Sequence, residues 1–147
     1  MTSSQHEPFL TERFDNALKF AHGVHRLQIR KDTLIPYVSH LISVAGLVLE
    51  SGGDEDLAIA GLLHDAVEDA EDISGEEMSD RIRAIFGDRV ADIVDGCSDA
   101  KSSPGESKPP WRSRKEAYLE HLRSASNDVL RVSIADKVHN ARSIATD

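Results

Sequence analysis

One stretch near the middle of the chain combines an apolar pattern with a group of ionisable residues: Leu62-Leu63-His64-Asp65-Ala66-Val67-Glu68-Asp69. Its apolar residues predict a buried helix, yet four of its eight residues can ionise or bind a metal. Residues four apart lie on one face of a helix, so we expect Glu68 one turn beyond His64 and Asp69 one turn beyond Asp65. Burying an imidazole and three carboxylates on one wall costs on the order of several kcal/mol for each unpaired charge. The pattern therefore indicates a bound cation, a solvent-filled cleft, or both.

Length and charge limit the class of protein. A chain of 147 residues, 39% of them hydrophobic, suits one domain with a substantial core. The net charge of −9 argues against a nucleic-acid partner and disfavours anionic membranes, whereas a small phosphate ligand needs only a local positive pocket. The longest apolar tract, Leu41 to Leu49, is far shorter than the ~20 residues of a membrane span. The single cysteine, Cys97, excludes an internal disulfide and a thiolate-rich zinc site, and it fits a cytoplasmic protein.

Helical periodicity and capping residues recur along the chain. Apolar residues at helical spacing predict a first helix over 11–27 and a second over 36–52. Asp54 is the predicted cap of a third helix, which leads into the central stretch. Ser74 and Glu77 form a capping box for a fourth helix, and a fifth follows it.

The C-terminal part continues this helical pattern. A basic block, Trp111-Arg112-Ser113-Arg114-Lys115, opens a sixth helix, and Asn127 or Asp128 caps the last one. The cations of the block could receive phosphate or could face solvent, and both interpretations stay open. No stretch alternates for long enough to predict a sheet, so we predict an all-α bundle of about six to seven helices. The predicted regions are a flexible N-terminal tail at 1–10, one domain at 11–147 and, within it, a long loop at about 99–111.

Further polar residues interrupt the apolar faces of these helices. His40 lies among apolar positions of the second helix, and Asp136 interrupts a buried run of the last helix, with Asn140 one turn further on. With seven histidines and 26 acidic residues among 147, about one adjacent histidine–acid pair is expected by chance. The combination of His40, the central stretch and Asp136, rather than the pair alone, therefore predicts a site.

Four motifs, found in this order, resemble those of the HD-domain phosphohydrolases. The resemblance spans about residues 14–145 and is closest to the SpoT-type hydrolase domain and the small stand-alone alarmone hydrolases. The motifs are Gln28-Ile29-Arg30-Lys31-Asp32 before Pro36-Tyr37-Val38-Ser39-His40, then Leu63 to Asp69, then Ser98-Asp99-Ala100-Lys101, and last Ile134-Ala135-Asp136-Lys137-Val138-His139-Asn140-Ala141-Arg142.

The resemblance implies a metal centre and a role for each motif. One divalent ion, usually manganese in that family, is expected on the four ligands His40, His64, Asp65 and Asp136. Glu68 and Asp69 are expected to act on the attacking water and on proton transfer. The residues expected around the substrate are Arg30 and Lys31, the late pair Asn140 and Ser143, and the cations Lys137 and Arg142.

The function implied by the resemblance is a metal-dependent hydrolysis of a nucleotide. The expected substrate is guanosine 3′,5′-bis(diphosphate), from which the 3′-pyrophosphate leaves as a unit. Two alternatives stay open. One is another nucleotide phosphohydrolase that acts on a dNTP or a nucleoside monophosphate, and the other is a metal-binding or nucleotide-sensing module without turnover.

Overall fold

A computed structural model describes residues 10–98 and 110–146 of the chain. Within these residues it contains seven helices of nine residues or more, one single-turn helix and no strand, so the predicted all-α class is confirmed. The predicted tail, apart from residue 10, and the predicted loop up to residue 109 lie outside the described residues. The helices are α1 (Glu12–Val24), α2 (Val38–Glu50), α3 (Glu55–Leu63), α4 (Ala66–Asp69), α5 (Gly75–Phe86), α6 (Asp88–Cys97), α7 (Trp111–Leu122) and α8 (Asn127–Thr146).

Side-chain caps define where several helices begin. Asp54 accepts a hydrogen bond from the Leu57 amide at 3.0 Å, and Ser74 accepts one from the Glu77 amide at 3.1 Å, as predicted. The cap of α8 differs from the prediction. The helix already begins at Asn127, so the residue before it takes the capping role, and Ser126 Oγ accepts a hydrogen bond from the Val129 amide at 3.2 Å.

The core surrounds α3, whose residues from Leu57 to Leu63 are all buried. This helix packs against α1, α2, α6 and α8, so it has no solvent-facing side. Gly61 permits the close approach of α2, since a Cβ atom there would lie 3.3 Å from Ala45 Cα. Among the helices that the structure describes, none is both long and apolar enough to cross a membrane.

The central stretch is not the continuous helix that its periodicity predicts. α3 ends at Leu63, His64 and Asp65 form a turn, and α4 begins at Ala66. The His64 ring donates a hydrogen bond from Nδ1 to the Gly61 carbonyl at 2.7 Å, in competition with the backbone bonds of a helix. The interruption therefore lies within the stretch that carries the candidate ligands His64 and Asp65.

Candidate metal centre and active site

Four side chains from three parts of the fold converge at one end of α3. His40 comes from α2, His64 and Asp65 from the turn after α3, and Asp136 from α8. Each offers one ligand atom, and these atoms lie within 4.8 Å of one another. Asp136 Oδ1 is 2.9 Å from His40 Nε2 and 3.2 Å from His64 Nε2. The structure therefore brings together the four residues that the family resemblance implies as metal ligands.

This donor set fits a divalent cation. Nitrogen and oxygen ligands bind zinc-sized ions at about 2.0–2.2 Å, so ligand atoms on opposite sides of an ion lie about 4.4 Å apart. Two carboxylates balance the two positive charges of such an ion, and mixed imidazole and carboxylate ligands suit several divalent transition metals. The two histidines are only 1% and 3% exposed, so solvent provides little alternative stabilisation for the cluster.

Electrostatic coupling within the cluster is strong. Burial opposes a charge on His64, but the carboxylates of Asp65 and Asp136 raise the pKa of His64 well above its ordinary range. Burial would raise the pKa of Asp65, but His64 and a hydrogen bond from Tyr37 lower it to about 2. Without a bound cation, the positive charge of protonated His64 balances the negative charge of the carboxylates. A cation must displace the proton from His64 Nε2, so protons and the cation compete for this residue.

Two residues outside the predicted site, Tyr37 and His139, contact the ligands directly. The Tyr37 hydroxyl donates a hydrogen bond to Asp65 Oδ2. Burial and the charge of Asp65 raise the pKa of Tyr37, so its hydroxyl remains a donor. His139 Nδ1 lies 2.8 Å from His40 Nδ1. Helical spacing could have indicated His139, because it lies three residues after Asp136 on the same helix.

Two adjoining cavities open beside the ligands. The first, of about 190 Å³, is lined by His64, Asp65 and Asp136 together with Glu68, Lys115 and Lys137. The second, of about 500 Å³, is lined by Arg30, Lys31, Thr33 and Ser143. Tyr37 and Asn140 line both cavities, so the two spaces share a wall.

Asn140 links the cations of the second cavity to the ligand cluster. Arg30 Nη2 donates to Asn140 Oδ1 at 3.1 Å, and Asn140 Nδ2 donates to Asp136 Oδ1 at 3.2 Å. On the other side of Asp136, Lys137 Nζ lies 3.1 Å from Oδ2 and 5.3 Å from the centre of the Tyr118 ring. Asp136 therefore contacts one positively charged side chain, Lys137, directly and is linked to a second, Arg30, through the Asn140 amide.

Two of the predicted site residues, Asp69 and Arg142, lie outside the two cavities beside the ligands. Asp69 lines a neighbouring cavity, where its Oδ2 accepts a hydrogen bond from Gln28 Nε2 at 3.2 Å. The helix is interrupted at His64 and Asp65, between α3 and α4, just before this residue. Arg142 is exposed and lines neither of the two cavities beside the ligands. Lys115, from the basic block, does reach the first cavity.

Proteins of similar sequence include two named as guanosine bis(diphosphate) hydrolases. The "Probable guanosine-3′,5′-bis(diphosphate) 3′-pyrophosphohydrolase" of Synechocystis sp. is 38% identical over 130 residues, which are 87% of this chain and 16% of the relative. The "Guanosine-3′,5′-bis(diphosphate) 3′-pyrophosphohydrolase MESH1" of Danio rerio is 36% identical over 130 residues, which are 86% of this chain and 66% of the relative. The chain therefore spans less than two thirds of either relative.

A solved structure and a family model extend the comparison. The structure, described as a metazoan ortholog of SpoT that hydrolyses ppGpp, superposes with a TM-score of 0.78 and 28% identity, over 95% of this chain and 74% of that one. The family model, described as HD domain, matches residues 17–147. With this match and the His-Asp centre in place, the chain belongs to the HD domain family.

Proposed function

We propose that the chain is a metal-dependent phosphohydrolase that removes the 3′-pyrophosphate from guanosine 3′,5′-bis(diphosphate). The observation that carries this proposal is the ligand cluster in the first cavity, which shares Tyr37 and Asn140 with the cation-lined second cavity. A nucleotide phosphorylated at both ends can place one phosphate group beside the cluster while its nucleoside occupies the second cavity. The names of the Synechocystis and Danio rerio relatives support the same substrate.

The cation proposed for this site is one Mn²⁺ ion, held by His40, His64, Asp65 and Asp136. When bound, such an ion supplies a Lewis acid and lowers the pKa of a coordinated water. The protein keeps the ligands in position before the ion arrives. Tyr37 holds Asp65, and the Gly61 carbonyl orients the His64 ring so that Nε2 points into the cluster.

Glu68 and Asp69 are proposed to move protons. Glu68 lines the cavity that contains the ligands, so it is assigned to accept a proton from the attacking water. Asp69 is fixed by Gln28 in the neighbouring cavity and is assigned to exchange protons with solvent. In the reaction, the water oxygen bonds to the phosphorus that carries the 3′-oxygen, the bond between that phosphorus and the 3′-oxygen breaks, and the 3′-oxygen takes up the proton that Glu68 accepted from the water. The products are pyrophosphate and a nucleotide with a free 3′-hydroxyl.

Positive side chains are proposed to hold the two ends of the substrate. Arg30, Lys31 and Ser143, which line the second cavity with Asn140, are assigned to the nucleoside and its 5′-phosphates. Lys137, in the first cavity, is assigned to the 3′-pyrophosphate. Arg142 is exposed and is assigned to attraction of the substrate from solvent. Repulsion from the acidic surface is screened within about 8 Å at physiological salt.

A panel of substrates with Mn²⁺ tests the proposal. We expect guanosine 3′,5′-bis(diphosphate) to yield GDP and pyrophosphate, faster than dNTPs, nucleoside monophosphates or p-nitrophenyl phosphate react. Cleavage of dNTPs or monophosphates with no reaction of the guanosine bis(diphosphate) would disprove the substrate and leave the metal centre intact. Binding of Mn²⁺ with no turnover of any substrate would favour the sensor alternative.

A further inference from the structure

We propose that His139 positions His40 for the cation, by accepting a hydrogen bond from the His40 ring nitrogen that faces away from the cluster. This inference rests on the metal centre of the proposed function. The two rings come from different helices, α2 and α8, and His139 lies three residues after the ligand Asp136. One helix would thus supply both a ligand and the residue that orients a second ligand.

The two nitrogens of His40 face different partners. Nε2 points to the cluster and lies 2.9 Å from Asp136 Oδ1, whereas Nδ1 lies 2.8 Å from His139 Nδ1. The ring centres are 4.9 Å apart and the ring planes are inclined by 37°, so the rings are tilted rather than stacked in parallel. The contact between the two Nδ1 atoms has the length of a hydrogen bond.

Proton counting determines the direction of this hydrogen bond when His40 binds a cation. A neutral imidazole carries one proton, and the nitrogen that binds the cation must be without it. If Nε2 is the ligand, the proton is on Nδ1 and needs an acceptor. His40 is only 1% exposed, so water is a poor substitute. In the part of the chain that the structure describes, His139 Nδ1 is the acceptor within hydrogen-bond distance of this nitrogen.

The other histidine ligand, His64, has an acceptor of a different kind for its Nδ1 atom. His64 Nδ1 donates to the Gly61 carbonyl at 2.7 Å, a backbone acceptor that no side-chain substitution removes. His40 has a side-chain acceptor in the corresponding role. Partners of this kind set the tautomer and orientation of a metal-binding histidine, and their loss weakens metal binding about 10–100-fold.

Three variants of the full chain test the inference. His139→Phe keeps a ring of similar size but removes the acceptor, whereas His139→Asn keeps a polar oxygen near the position of Nδ1. His22→Phe makes the same chemical change at an exposed histidine on α1 and serves as the matched control. Free Mn²⁺ is measured by its paramagnetic resonance signal during titration, and the melting temperature without metal reports folding. If His139→Phe does not fold, His139→Ala replaces it.

We expect Mn²⁺ affinity to fall about 10–100-fold in His139→Phe, to stay within a few-fold of wild type in His139→Asn, and to be unchanged in His22→Phe. Wild-type affinity in His139→Phe would overturn the inference, and so would an equal loss in His139→Asn. A wild-type protein that binds no Mn²⁺ would instead overturn the metal centre, and the inference with it. The two failures are therefore distinguishable.

Discussion

Asp136→Asn should abolish most of the stabilisation that a divalent ion gives to this fold. Asp136 Oδ1 is the common neighbour of both histidine ligands, at 2.9 Å from His40 Nε2 and 3.2 Å from His64 Nε2. Asparagine has the same shape but removes one of the two negative charges that balance the ion. Removal of an outer-shell partner weakens metal binding by about 10–100-fold. Asp136 is proposed as a direct ligand, so we expect its replacement to weaken Mn²⁺ binding by about 100-fold or more.

The size of the effect follows from binding linkage. Mn²⁺ at 100 times its Kd stabilises the folded state by about 2.7 kcal/mol, which raises the melting temperature of a domain of this length by about 10 °C. If Asp136→Asn weakens binding 100-fold, the same concentration only equals the Kd of the variant. The stabilisation then falls to about 0.4 kcal/mol, or about 1–2 °C.

Thermal unfolding with and without Mn²⁺ measures this increment directly. Subtracting the metal-free melting temperature of each protein removes any effect of the substitution on the fold alone. Asp15→Asn is the matched control, because Asp15 is an exposed acid on α1, and it should keep the full increment. A full increment in Asp136→Asn would refute the assignment of Asp136 as a ligand.

Three further predictions concern catalysis, substrate binding and pH. Glu68→Gln and Asp69→Asn should keep the rise in melting temperature with Mn²⁺ but lose about 10²-fold or more of turnover in a pyrophosphate-release assay. Loss of that rise in melting temperature would instead show that these residues are metal ligands. Arg30→Ala should raise KM for guanosine 3′,5′-bis(diphosphate) more than for p-nitrophenyl phosphate, because Arg30 lines the second cavity, and equal changes would contradict that role. Burial opposes ionisation of Asp54, but hydrogen bonds from Arg89 and the Leu57 amide lower the pKa of its carboxyl group. The ionised Asp54 side chain therefore stabilises the fold fully above the unfolded pKa of about 3.9. This stabilisation is lost as the pH falls through the lower pKa of the folded state. Asp54→Asn should therefore flatten the fall in melting temperature between about pH 5 and 3, and an unchanged slope would argue against this contribution.

Local signals in the sequence were sufficient for most of the fold. The caps Asp54 and Ser74 were predictable because a cap acts within three residues of its own position. The break at His64 was not, because it depends on where a ring bonds in three dimensions rather than on hydrophobic spacing. The true cap of α8, Ser126, was missed for a related reason, since serine, asparagine and aspartate are all good caps and they follow one another there.

The sequence by itself determined which residues could form a metal centre, because His40 and Asp136 each interrupt an apolar helical face and buried polar groups need a partner. Tertiary structure alone decided how those residues are held. His139 and His40 are 99 residues apart in the chain, and Tyr37 meets Asp65 across 28 residues. Such contacts depend on the distances and crossing angles between packed helices, which periodicity within one helix does not encode. The same packing, with the turn at His64, placed Glu68 beside the ligands and Asp69 in the next cavity.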